Sequence, residues 1–175
     1  YNGFLGSGGL VGDGTFYSVA LFSRGHTHRD PRIWCCPPNW VRCMLEVSEW
    51  MYAVSDDAIY VNLFAGSTAR IELSGQEIEL TQVTDYPWES RVRFEIKLPQ
   101  PTEFALMLRV PGWSKTFSIA VNGEPSNASQ EPDGSVMLRR QWQTGDAVDL
   151  DLSMATERLE ANPQIQTSPC LCNPP

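Results

Sequence analysis

At 175 residues the chain has room for one ordinary domain, or for one small domain and part of another. A hydrophobic share of 42% suits a globular core, and no apolar run approaches the ~20 residues of a membrane-spanning helix. A net charge of −8, with no basic patch or stripe, excludes nucleic acid as a partner and leaves the oligomeric state open.

The chain opens on Tyr1 with no charged n-region and apolar h-region behind it, so no signal peptide is visible. Tyr1-Asn2-Gly3-Phe4-Leu5 reads as the inside of a fold, and we expect a piece of a longer protein. Gly12-Asp13-Gly14 signals a turn before the strand formers of Thr15 to Phe22, which predicts a short hairpin. Residues 23–33 are polar and carry His26, His28, Arg29 and Arg32, as a surface or active-site loop would.

Next comes Trp34-Cys35-Cys36-Pro37-Pro38-Asn39. The prolines fix φ and bias each preceding residue towards extended geometry. From Asn39, a good N-cap type, Trp40, Met44, Val47 and Met51 recur at helical spacing, which predicts a helix over about 39–53. Two thiols therefore stand at or before a helix N-terminus, where N–H groups and the dipole favour thiolate. The alternative is that each cysteine is a small buried hydrophobe.

Beyond Ser55-Asp56-Asp57 the pattern changes to strands. Ile59–Phe64, Thr68–Leu73, Glu77–Thr81, Arg91–Leu98, Phe104–Val110, Phe117–Val121, Val136–Leu138 and Val148–Leu152 are apolar or alternating. Ser74-Gly75, Asn122-Gly123, Pro132-Asp133-Gly134 and Gly145-Asp146 punctuate them. Short strands at this spacing predict an antiparallel sandwich or barrel over 58–154, with 1–55 belonging to something else and 155–175 a polar tail. The five cysteines, 35, 36, 43, 170 and 172, make a poor disulfide framework, and unpaired thiols favour the cytoplasm. Cys43 reads as packing, and Cys170-Leu171-Cys172 could bind metal but has no other ligand near it.

Several motifs in order carry a resemblance: the Cys35-Cys36-Pro37-Pro38-Asn39 box, Ile59-Tyr60-Val61-Asn62-Leu63, Tyr86-Pro87-Trp88, Leu108-Arg109-Val110-Pro111-Gly112-Trp113, Val121-Asn122-Gly123, Arg140-Gln141-Trp142 and Gly145-Asp146. From Tyr1 to about Pro163 the chain resembles glycoside hydrolase family 127, the β-L-arabinofuranosidase type. The resemblance implies an α+β fragment, with the C-terminal piece of an (α/α) barrel in 1–55 and a β-sandwich packed against it. It implies a retaining exo-glycosidase acting on arabinofuranosyl glycans through a zinc-bound thiolate. Cys35 would be nucleophile and zinc ligand, and Cys36 a second zinc ligand; a Glu, a further Cys and the carboxylate acid/base would lie upstream. Tyr17 matches a tyrosine near the sugar, with an ordinary strand aromatic as the alternative; His28, beside Arg29, matches a His-Arg step before the box, or is a solvated loop residue. Trp88 and Trp113 are expected to pack the sandwich and not to serve as sugar platforms.

The chain also departs from the family. Ile33 stands where a further Cys is frequent, Val19-Ala20 replace an Asn-Pro, and Ser168 to Pro175 match nothing, as a truncated or aberrantly terminated frame would. Alone, the chain is expected to be inactive. The rival readings are a non-catalytic carbohydrate-binding sandwich and a redox or metal module built on Cys35, Cys36, Cys170 and Cys172.

Overall fold

The computed structural model describes residues 36–156, with side chains from Arg42 onward. One helix, α1 (Cys36–Met51), leads into ten strands: β1 (Tyr52–Val54), β2 (Ala58–Val61), β3 (Ser67–Leu73), β4 (Gln76–Val83), β5 (Arg91–Lys97), β6 (Thr102–Arg109), β7 (Phe117–Val121), β8 (Glu124–Ser126), β9 (Ser135–Trp142) and β10 (Ala147–Leu152). They form a four-stranded sheet, β1-β2-β6-β9, and a six-stranded sheet, β3-β4-β5-β10-β7-β8.

Alternation makes this a sandwich. On β5, Val92, Phe94 and Ile96 have no exposed surface, and Arg91, Arg93, Glu95 and Lys97 face outward. On β10, Val148, Leu150 and Leu152 do the same with Asp149 and Asp151 outside. These rows meet Ile59, Val61, Phe104, Leu106, Leu108 and Val136 from the other sheet in one apolar core. Trp142 closes it: its indole is fully buried, Nε1 donates to the Phe104 carbonyl at 3.1 Å, and its ring lies 5.8 Å from that of Phe104.

Neighbouring strands run antiparallel with one exception: β2 and β6 are parallel, Ala58 opposite Ala105 and Val61 opposite Leu108. The all-antiparallel expectation is corrected here. The chain leaves β2, builds β3, β4 and β5 in the opposite sheet, and returns as β6 in the same direction, a crossover that a parallel pair requires.

Two predicted turns are two-residue hairpins with positive φ at both positions, 53° and 77° at Ser74-Gly75 and 54° and 84° at Asn122-Gly123. Asp146, only 3% exposed, ties the second to the sheet. Its Oδ1 accepts from Asn122 Nδ2 at 2.8 Å and its Oδ2 from the Gln143 amide at 2.9 Å. Asn122 Oδ1 in turn accepts from the Ala147 amide at 2.8 Å. Two short strands, β1 and β8, are absent from the sequence reading. β1 falls where the sequence predicts the end of the helix, because a run of three residues has no period to measure.

Candidate functional site

Helix α1 begins at Cys36, three residues before the expected start. Pro37 and Pro38 fall in its first turn, where their missing N–H groups would have had no intrahelical partner. Of the first four backbone positions only Cys36 and Asn39 keep an N–H, so this helix start offers fewer donors to an anion than usual. Over its 16 residues α1 rises about 24 Å, with Cys36 at one end and the sandwich at the other. Met51 is buried, Met44 and Val47 are half-buried, and Leu45 is 75% exposed.

Asn62, just past β2, grips the sandwich end of α1. Its amide donates to the Met51 carbonyl at 2.8 Å, and its Nδ2 to the Trp50 carbonyl at 3.4 Å. Leu63 N–H reaches the same Met51 oxygen at 3.4 Å. These satisfy carbonyls that a helix C-terminus leaves without partners. Arg109, from the end of β6, makes a long contact to the Asn62 carbonyl at 3.5 Å.

A cleft of about 340 Å³ opens beside this junction, lined by Asn62, Tyr86, Arg109 and Trp113 among others. Beneath it Phe64 meets Tyr86 edge-on at 5.7 Å and Phe94 at 6.2 Å. Gln82, 2% exposed, donates from Nε2 to Tyr52 Oη at 2.8 Å and to the Leu63 carbonyl at 3.2 Å. Tyr52 Oη lies 2.9 Å from Ser67 Oγ. The helix junction thus rests on a buried polar chain that crosses from β1 to β3 and β4.

Perturbed ionisable groups lie elsewhere. Lys97, hydrogen-bonded at 2.8 Å, holds the Glu79 carboxyl below its ordinary value, and Glu79 raises Lys97 in return. Asp149, at 2.8 Å, raises Arg93. Ser135 donates from its hydroxyl and its amide to Asp133 and lowers it. None of these groups lines the cleft. Among the described residues no three His, Cys, Asp or Glu side chains come together as a metal site.

Residues 58–154, more than half of the chain, match the family model described as Beta-L-arabinofuranosidase, GH127 middle domain. The chain belongs to glycoside hydrolase family 127. It is similar to the solved GH127 β-L-arabinofuranosidase of Geobacillus stearothermophilus T6, at 32% identity and a TM-score of 0.80, over 91% of this chain and 27% of that one. A GH127 β-arabinofuranosidase shares 30% identity at a TM-score of 0.84, over 95% of this chain and 29% of that one. A structure titled glycoside hydrolase matches at 30% identity and 0.80, with the same coverage of 95% and 29%. No curated protein matches. The chain thus spans under a third of the length of these GH127 structures.

Within this GH127 chain the structure places only part of the predicted site. Cys36 is the first residue of α1, known here by its backbone. Cys35, Tyr17 and His28 lie outside the described residues, as do the predicted hairpin, the histidine loop, Cys170 and Cys172. Cys43 is half-buried and free. The expectation that Trp88 and Trp113 pack the sandwich is corrected: they are 86% and 45% exposed. Both sit in turns, where strand alternation assigns no inward side. The inward places go to their neighbours, to Tyr86 against Phe64 and to Ser114, 7% exposed, whose Oγ donates to the Thr116 carbonyl at 3.0 Å. Sequence reasoning also missed Asn62 as the grip on α1; an Asn shortly after a strand carries no signal of a helix end remote in sequence.

Proposed function

We propose that this chain is the nucleophile-bearing segment of a retaining β-L-arabinofuranosidase, and that it is inactive by itself. The observation that carries the reading is the attachment of α1, with Cys36 as its first residue, to a GH127 middle domain through Asn62. Residues 1–55 are then the last part of an (α/α) catalytic barrel, and the substrate is a glycan ending in L-arabinofuranose.

Cys35 is the nucleophile. Its sulfur attacks the anomeric carbon as the glycosidic oxygen leaves with a proton from an acid/base contributed by another segment, and water then hydrolyses the thioglycosyl bond with inversion a second time. A thiol with a pKa of about 8.5 is mostly protonated at neutral pH and needs help. The helix start supplies only part of that help, since Pro37 and Pro38 remove two of its donors. Zinc fits the donor chemistry: Cys35 and Cys36 would hold it, and when bound it supplies the charge that keeps the thiolate ionised. The remaining ligands are assigned to other segments. Tyr17 and His28 are assigned to the sugar pocket.

The assay is hydrolysis of a nitrophenyl β-L-arabinofuranoside. The 175-residue chain is expected to show no turnover above buffer. A longer polypeptide that adds an upstream helical domain is expected to turn over and to lose activity with Cys35→Ser. Turnover by the short chain that Cys35→Ser abolishes would overturn the claim of inactivity. Turnover by the long one that survives Cys35→Ser would overturn the nucleophile.

A further inference from the structure

The loop between β4 and β5 holds Trp88 out in solvent, and it is stapled in place. Thr84 Oγ1 donates to the Arg91 carbonyl across its base at 2.6 Å and accepts from the Tyr86 amide at 3.0 Å. The Asp85 carbonyl accepts from the amides of Trp88 at 2.9 Å and Glu89 at 3.3 Å. Tyr86 anchors the loop edge-on against Phe64, and Leu152 N–H bonds the Ser90 carbonyl at 3.2 Å. The backbone that carries this indole, 86% exposed, is preorganised, because its ordering cost was met on folding.

Beside Trp88 is an open cleft of about 460 Å³, lined also by Glu89, Arg91, Asp151 and Met154. Among the described residues, Glu89, Arg91 and Asp151 form no ion pair. Farther along β5, Arg93 pairs with Asp149 at 2.8 Å and Lys97 with Glu79 at 2.8 Å. Arg91 stands opposite Asp151 in register, yet among the described residues it makes no ion pair. The cleft thus combines a flat apolar ring, a guanidinium with free donors and carboxylates with free acceptors. Sugars have matching chemistry: a C–H face that covers an aromatic ring and a rim of hydroxyls that both donate and accept. An apolar peptide would leave these charges desolvated and unmatched, with Met154 as its sole apolar partner besides the indole.

We infer that Trp88, Arg91 and Asp151 form a carbohydrate-binding site on the sandwich, separate from the cysteine box, that takes an uncharged oligosaccharide. Its assignment to L-arabinose-containing chains rests on the function proposed above.

The test follows the six indole N–H signals of the 15N-labelled 175-residue chain by NMR, with the Trp88 signal identified through Trp88→Phe. The probes are a linear L-arabinotetraose and cellotetraose. The expected result is a saturable shift of the Trp88 signal with arabinotetraose that is weakened about tenfold in Arg91→Ala, and a heat of arabinotetraose binding in titration calorimetry that is lost in Trp88→Ala, while the thermal midpoint of either variant stays unchanged. A Trp88 signal that stays still to tens of millimolar of both sugars would overturn the site, and so would binding of equal strength in both variants. A response to cellotetraose alone supports the site and counts against the L-arabinose reading. Loss of the site would leave the Cys35 proposal standing, because turnover by the longer polypeptide reports on that independently.

Discussion

Trp142 and Trp88 mark two regions built on different terms. Trp142 itself leaves nothing apolar in water: the indole has no exposed surface, its N–H is bonded to Phe104, and Arg140 lies over its ring at 5.2 Å. At the end where α1 joins, Trp88, Trp113 and Trp50 are 86%, 45% and 49% exposed, although the two turns and the helix that carry them are hydrogen-bonded. The difference teaches that order and burial are separable in this protein. The core is ordered by packing, and the helix end by hydrogen bonds that leave large side chains presented outward.

That contrast can be broken at its strong side first. Trp142→Ala is expected to cost about 3–5 kcal/mol, read as a fall in the urea midpoint, because a large cavity opens and a buried carbonyl loses its donor. Asp146→Ala removes the acceptor of Asn122 Nδ2 and of the Gln143 amide and is expected to cost about 2 kcal/mol in the same measurement. Gly123→Ala forces a side chain into φ of 84° and is expected to cost about 1–2 kcal/mol. Trp88→Ala is expected to move stability by under about 0.5 kcal/mol, since little of the indole is buried. A loss there as large as that at Trp142 would erase the distinction between the two regions.

The smallest effect is electrostatic. Lys97 depresses Glu79 in the folded chain, so the pair stabilises above the unfolded carboxyl value of about 4.3 and loses that contribution as pH falls through the lowered folded value. Thermal melts of Glu79→Gln should therefore show a small deficit at pH 7 that closes in acid.

Strands were legible wherever alternation ran long enough to be measured. β5 shows Val92, Phe94 and Ile96 on one face in both the sequence and the structure. β1 and β8, three residues each, have too few positions to define a face. The parallel β2–β6 pair was illegible because direction depends on what lies between two strands, and that path is tertiary. The start of α1 was missed because Pro37 and Pro38 favour the residue before them extended, while the structure uses them as first-turn residues. The grip of Asn62 on α1 is a contact between distant segments, with no local pattern to betray it. Trp88 and Trp113, expected to pack the sandwich, are exposed, and a turn has no period that would have assigned them a side.

The parallel pair also orders events in time. While the chain is being made, β3 and β4 can join through Ser74-Gly75 as soon as both exist, whereas β2 must wait for Thr102–Arg109 before its second edge is closed. Until then Ala58, Ile59, Tyr60 and Val61 present bare backbone along one side. Any product ending before residue 102 lacks the partner of that edge and is expected to aggregate more readily than the full chain.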